Sequence, residues 1–259
     1  MTTFTEIPYR QYPYSYINGV SLFINYLPDA KVLENMVDTN LKFKDYLNRI
    51  FGVKFKEDFL PQVFNANIFR NNKSQRITFL RNYIIISLDF NAYENFTQSV
   101  IPVLYQLKFF FENIMNVKIY SHIGLSKVNG WELTPDEGEV FDIKTARGII
   151  LSDRYIKTAT ETSALLPEND FPLLILKEQI EDSTGSTIDV RITSSCNLPP
   201  TGEKDYSLNI VTSLEKALKN TISFEEMREQ FFALNRTQYN AFHWVVSDDI
   251  IKLMKGELV

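Results

Sequence analysis

Alternation in some stretches and a four-three rhythm in others divide this chain into strands and helices. From Tyr16 to Tyr26, Val20, Leu22, Ile24 and Tyr26 fall on one side of an extended segment, with Ser21, Phe23 and Asn25 on the other. That is the period of two that a strand imposes. Asp29, after Pro28, is placed to cap a helix carrying Val32, Leu33, Met36 and Val37, with a break expected at Asp38-Thr39-Asn40 before it resumes over Leu41–Phe51. Three strands follow, Val63–Arg70, Gln75–Leu80 and Tyr83–Phe90, joined by Asn- and Ser-rich turns. In the third, Ile84, Ile86, Leu88 and Phe90 oppose Ser87 and Asp89, the signature of a sheet covered mainly on one side.

Phe96, Val100, Val103, Leu107, Phe110 and Ile114 then repeat at helical spacing, with Pro102 expected either to kink the helix or to mark its true start. A strand over Val117–Val128 is predicted to point Ile119, Ile123 and Leu125 one way and Lys118, Tyr120 and His122 the other. The remainder reads as further strands at Arg147–Lys157, Phe171–Asp182, Thr187–Ser195 and Tyr206–Ser213, with Ser183–Ser186 as a hairpin loop. Ser223 and Glu226 form a capping box ahead of a helix bearing Phe224, Met227, Phe231, Leu234 and Phe242. Ser247, followed by Asp248 and Asp249, caps a last helix. The pattern predicts an α+β fold: a curved, mostly antiparallel sheet with helices packed on one face. It reads as one compact domain over 1–259. Each of two halves, 1–130 and 131–259, ends in sheet followed by a long helix.

Composition narrows the function classes. The chain has 259 residues, 44% hydrophobic, with 20 Phe and 13 Tyr, ample material for a core. A net charge of −5 gives no general drive toward nucleic acid or anionic membrane, although a local basic patch is compatible with it. The sole cysteine, Cys196, excludes an intrachain disulfide and a multi-cysteine metal site, and suits a reducing compartment. No signal-peptide pattern or membrane-length apolar run is present, so a soluble cytoplasmic protein is expected.

Three stretches resemble a known family. They are Val20-Ser-Leu-Phe-Ile-Asn-Tyr26; Tyr93-Glu-Asn-Phe96 with Ile123-Gly-Leu-Ser-Lys-Val-Asn129; and Leu234-Asn-Arg-Thr-Gln-Tyr-Asn-Ala-Phe242 with Ser247-Asp-Asp-Ile250. They are similar to the first strand, the Tyr/Trp-x-x-Phe helix with its Gly-Leu-Arg-Tyr-Ile-Asn strand, and the Leu-His…Phe…Ile-Thr-Asp ending of the sporadically distributed family of uncharacterised bacterial proteins. Asn235 stands where that family usually has His, and Ser126-Lys127 replaces Arg-Tyr. The resemblance brings no activity with it. The patchy occurrence of that family implies an accessory gene, such as a component of a defence or toxin–antitoxin system.

Candidate chemistry is sparse. His122 and His243 are the two histidines, far apart in sequence and without nearby cysteines, a poor set for zinc. The acidic run Asp136-Glu137-Gly138-Glu139 with Asp142 lacks the ligand spacing of a calcium loop and reads as a solvated turn. Asp182–Asp189 reads as a hairpin tip. Nucleophile elbows, phosphate loops and dinucleotide fingerprints are absent. No cofactor or metal is therefore expected. The first expectation is a non-enzymatic module presenting Tyr120, His122, Lys127 and Asn129 on an open sheet face to a protein partner. The alternative is a ligand-binding protein or enzyme with a pocket between sheet and helices, His122 serving as its acid or base. A second alternative is nucleic-acid binding through Arg70, Lys73, Arg76 and Arg81, interleaved with Phe69, Phe79 and Tyr83. Strand alternation predicts that these cations divide between the two faces, and edge protection accounts for them equally well.

Overall fold

The alternation at the start of the chain becomes strand β1, Ile17–Leu27, in the computed structural model. Residues 1–3, 59–66, 72–74, 90–92, 135–147, 163–173, 183–184, 198–205, 220–222 and 258–259 lie outside the described residues. In β1, Val20, Leu22, Ile24 and Tyr26 are buried while Ser21, Phe23 and Asn25 on the opposite face stay partly open. Helices α1 (Ala30–Glu34) and α2 (Met36–Phe51) follow, then strands β2 (Lys56–Asp58), β3 (Asn67–Arg70), β4 (Gln75–Phe79) and β5 (Tyr83–Asp89). Helix α3 (Ile101–Phe109) comes next, then the long β6 (Ile119–Leu133) and α4 (Asp153–Thr162). Strands β7 (Leu174–Glu181), β8 (Thr187–Asn197) and β9 (Tyr206–Ala217) and helices α5 (Phe224–Val245) and α6 (Asp248–Lys255) complete the chain. The fold is α+β, with an open, curved nine-stranded sheet ordered β2-β3-β4-β5-β1-β6-β9-β8-β7.

Helix boundaries follow local chemistry. Asp29 Oδ1 accepts from Lys31 N–H at 2.9 Å and starts α1. The expected break at residues 38–40 lies earlier, at Asn35; α2 runs unbroken through Thr39, whose N–H and Oγ1 both donate to Asn35 O at 3.0 Å. Gly52 ends α2 in the left-handed region at φ 62°, which glycine adopts without a Cβ penalty. Pro102 does not mark the helix start: a wide turn over Phe96–Val100, capped by Asn95, runs directly into α3 at Ile101. A second wide turn, Phe110–Ile114, closes with Met115 N–H donating to Phe110 O at 2.9 Å. The capping box forms as read, Glu226 N–H reaching Ser223 Oγ and Ser223 N–H reaching Glu226 Oε2. Ser247 Oγ likewise accepts from Ile250 N–H.

One element differs in type. The strand expected over Arg147–Lys157 is instead helix α4 from Asp153. Ser152 Oγ accepts from Tyr155 N–H at 3.2 Å while donating to Trp244 O at 2.6 Å, so a Ser-Asp start signal outweighs the apolar run before it.

The chain divides into two compact units assembled from discontinuous stretches, with the divisions falling inside β1, β6, β9 and α5. One comprises 19–126 and 215–235. Its core is aromatic: Phe43 of α2 meets Phe110 at 4.2 Å, Phe79 at 4.7 Å and Phe69 at 5.4 Å between ring centroids. Phe111 stands edge-on to Tyr26 and Tyr120. These contacts place α2 and the end of α3 over the sheet face that carries Ile77, Phe79, Ile84 and Ile86.

The other unit comprises 1–18, 127–214 and 236–259. Its N-terminal segment lies along α5 and α6. Phe4 meets Trp244 edge-on, Ile7 N–H donates to Asn240 Oδ1, and Tyr14 N–H donates to Met254 O. Tyr12, Tyr239 and His243 form a polar aromatic cluster there, with Tyr239 and His243 ring centroids 4.5 Å apart. Gln238 Nε2 donates to Thr212 O at 2.6 Å in the interior of this unit.

Candidate functional site

Strand register in the 19–126/215–235 unit determines which side chains share the face left open by the helices. β2 pairs antiparallel with β3, β3 with β4, β4 with β5, and β5 with β1. Reading across them, Lys56 stands opposite Arg70, Arg70 opposite Arg76, Arg76 opposite Ser87, and Ser87 opposite Ser21. Lys56, Arg70 and Arg76 are exposed. Two residues along, the next row on the same face is Ile68, Thr78, Ile85 and Phe23.

Three cations in directly opposed positions repel one another, since Cβ atoms of facing pairs lie only about 5 Å apart. The face also carries Asp89 of β5, beside Ser87, so its charge is mixed at that margin. This unit has a small excess of Lys and Arg over Asp and Glu, while the other holds the negative balance of the chain.

Next to the cationic row is an aromatic group. Phe23 of β1 lies 5.5 Å from Tyr83 of β5 and 6.0 Å, edge-on, from His122 of β6. His122 Nε2 sits 3.4 Å from Glu215 Oε2 of β9. Ser21 and Ser87 share a hydrogen bond of 2.9 Å between the two groups. From strand spacing and rise, Phe23 is about 12 Å from Arg76, two strands over and two residues along.

The four residues expected to form one open surface do not. Tyr120 is only 3% exposed and packs on Phe111, on the helix-covered face. The reason is a break in alternation: Tyr120 and Ile123 are both buried three positions apart, while Ser121 is exposed and His122 lies against Phe23. The parity of β6 thus changes between Tyr120, against Phe111, and His122, against Phe23. His122 therefore keeps its place on the open face and Tyr120 loses it. In the other unit, Asn129 is 4% exposed and shares the parity of buried Trp131. Lys127 is half-buried overall, but its ammonium is desolvated enough to bring its pKa down from 10.5 to about 7.

The basic residues fare differently. Arg70 and Arg76 are not divided between faces but directly opposed on one, because the short β3–β4 hairpin pairs them. Arg81 is exposed in the β4–β5 turn. Lys73 and the acidic run 136–142 lie outside the described residues. Lys56 escaped the sequence reading because β2 has three residues, too few for a periodic signal. Phe23 and Tyr83 were visible in the alternation as the outward positions of their strands.

Among the described residues no group of three or more His, Cys, Asp or Glu converges as a metal site. No described helix is long and apolar enough to cross a membrane. No protein-family model matches the chain, and no curated protein does. A solved structure described as "KH domains" aligns over 90% of this chain at 13% identity, with a TM-score of 0.16. The alignment spans 64% of that structure's length. At that score the match carries nothing about fold or function.

Proposed function

We propose that the open face of the 19–126/215–235 unit binds single-stranded nucleic acid. The observation that carries this reading is the register-aligned row Lys56–Arg70–Arg76 lying alongside the Phe23–Tyr83–His122 aromatic group. Cations beside stacking rings on a flat sheet match the two requirements of strand binding: phosphates neutralised along a backbone and bases laid on π-faces. Lysines and arginines that only protect a sheet edge have no need of aromatic neighbours on the same face. A protein partner at the originally expected surface has less support, since Tyr120 and Asn129 are buried. His122 with Glu215 lacks the third group that would orient an acid–base pair for catalysis, among the described residues.

Fluorescence anisotropy with labelled single strands, measured between 50 and 200 mM salt, tests the reading. Three neutralised phosphates give a log–log salt slope near −2, an affinity loss of about 20-fold over that range. Replacing Arg76 with Gln is expected to flatten the slope by about 0.7. Absence of binding at 50 mM salt, or a slope that R76Q and R70Q leave unchanged, refutes it.

A further inference from the structure

A depression of about 560 Å³ opens beside the cationic row, between the last turns of α2 and strand β2. It is lined by Lys44, Asn48, Lys54, Phe55 and Lys56, with Gly52 and Val53 at its floor. Its charged lining is entirely cationic. Among the described residues none of the three lysines forms an ion pair or a hydrogen bond through its ammonium. Asn48 Oδ1 accepts from Phe55 N–H at 2.6 Å, and its amide NH2 is the part that can donate outward. Every polar side chain here is thus a donor, and the group that satisfies such a set is an acceptor-only anion. The C-terminal carbonyls of α2 answer part of this charge, but they are spread over the last turn, whereas the three lysines line one depression.

Lys56 belongs both to this depression and to the row running on through Arg70 and Arg76. The cavity therefore stands where a strand tracked along the open face would reach the β2 edge of the sheet. A phosphodiester carries one negative charge and a phosphate monoester close to two, and three lysines lining one depression favour the second. We infer that the Lys44–Lys54–Lys56 depression holds the terminal phosphate of the bound single strand, so that the protein distinguishes phosphorylated ends from hydroxyl ends. This rests on the nucleic-acid reading of the open face.

The test compares oligonucleotides of one sequence carrying a 5′-phosphate, a 3′-phosphate or hydroxyls at both ends, at 50 mM salt. One phosphorylated form is expected to bind roughly tenfold tighter than the hydroxyl form. The double variant Lys44→Gln/Lys54→Gln should erase that preference while still binding the hydroxyl strand, and Lys44→Arg/Lys54→Arg should retain it. Inorganic phosphate added in excess should compete away the preference without displacing the strand. Equal binding of all three strands, or a preference that survives the Gln variant, overturns the inference and leaves strand binding standing. No binding of any strand overturns both.

Discussion

Acid should loosen the N-terminal segment through His243, and the size of the effect follows from its surroundings. The imidazole lies against Tyr12 and Tyr239, with Tyr12 Oη 2.9 Å from Nε2 and Tyr239 Oη donating to Tyr12 Oη at 3.2 Å. With the ring neutral, Nε2 accepts from the Tyr12 hydroxyl, whose own pKa is raised by burial and then by the Tyr239 hydrogen bond. Burial, followed by the positive charge of Lys255, lowers the His243 pKa from 6.5 to about 4. The unfolded chain then binds a proton more readily than the folded one, so stability is lost as pH falls from about 6.5 toward 4. Linkage with these two values gives a loss of about 2 kcal/mol at pH 5 and about 3 kcal/mol at pH 4, and almost none at pH 7.5. Urea unfolding of the wild type and of His243→Gln at pH 7.5 and pH 5 isolates the term, because every other titrating group is common to both. The wild type should lose about 2 kcal/mol more than the variant over that interval. Parallel losses in the two proteins would refute the assignment of His243 as a buried neutral acceptor.

Three further outcomes are expected. Phe43→Ala removes the ring that touches Phe69, Phe79 and Phe110 and should cost about 4 kcal/mol in urea unfolding; a loss below about 1 kcal/mol would mean the cluster collapses around the gap. Phe23→Ala, on the open face, should leave the protein folded at a cost of about 1–2 kcal/mol from the lost Tyr83 and His122 contacts, and weaken single-strand binding by about tenfold, the worth of one stacked base; unchanged affinity would remove stacking from the reading. Lys127→Met should raise the melting temperature at pH 7. Because the folded pKa of Lys127 is depressed, wild-type stability from this group rises with pH from about 7 toward 10.5, and the advantage of the variant should shrink over that window. A variant advantage that is independent of pH would show that packing, not desolvation, is responsible.

Much of the sheet could be read directly from alternation. β1 and β5 bury the described positions their period assigned, because one face is sealed by helices and a slip of one residue would expose the whole apolar set. Capping signals placed α1, α5 and α6 to the residue, since Asp29, Ser223 and Ser247 each satisfy a backbone donor that has no other partner. The candidate surface failed at one point for one reason. The change of parity between Tyr120 and His122 falls inside a fifteen-residue strand, and periodicity carries across it as though it were absent. The cationic row was hidden differently. Arg70 and Arg76 are six positions apart, but only the hairpin register shows that they face each other, and Lys56 joins them from a strand of three residues. Pairing between strands is a tertiary fact, and alternation within a strand does not report it.

The docking of the N-terminal segment on α5 and α6 has a consequence for how this chain is made. Tyr12 and His243 are 231 positions apart, and the unit they close contains both the beginning and the end of the described chain. On a ribosome adding about 5–20 residues per second, roughly ten to fifty seconds separate the two partners. Throughout that interval Phe4, Tyr9 and Tyr12 have no helix to lie on, whereas the Phe43–Phe79–Phe110 core has all its members once Phe110 has emerged. The Phe43 cluster is thus available for packing long before the N-terminal segment has its seat, although both units take their last residues from β9 or α5 onward. A chain lacking α5 would leave Phe4, Tyr9 and Tyr12 without the Trp244 and Tyr239 rings they pack against.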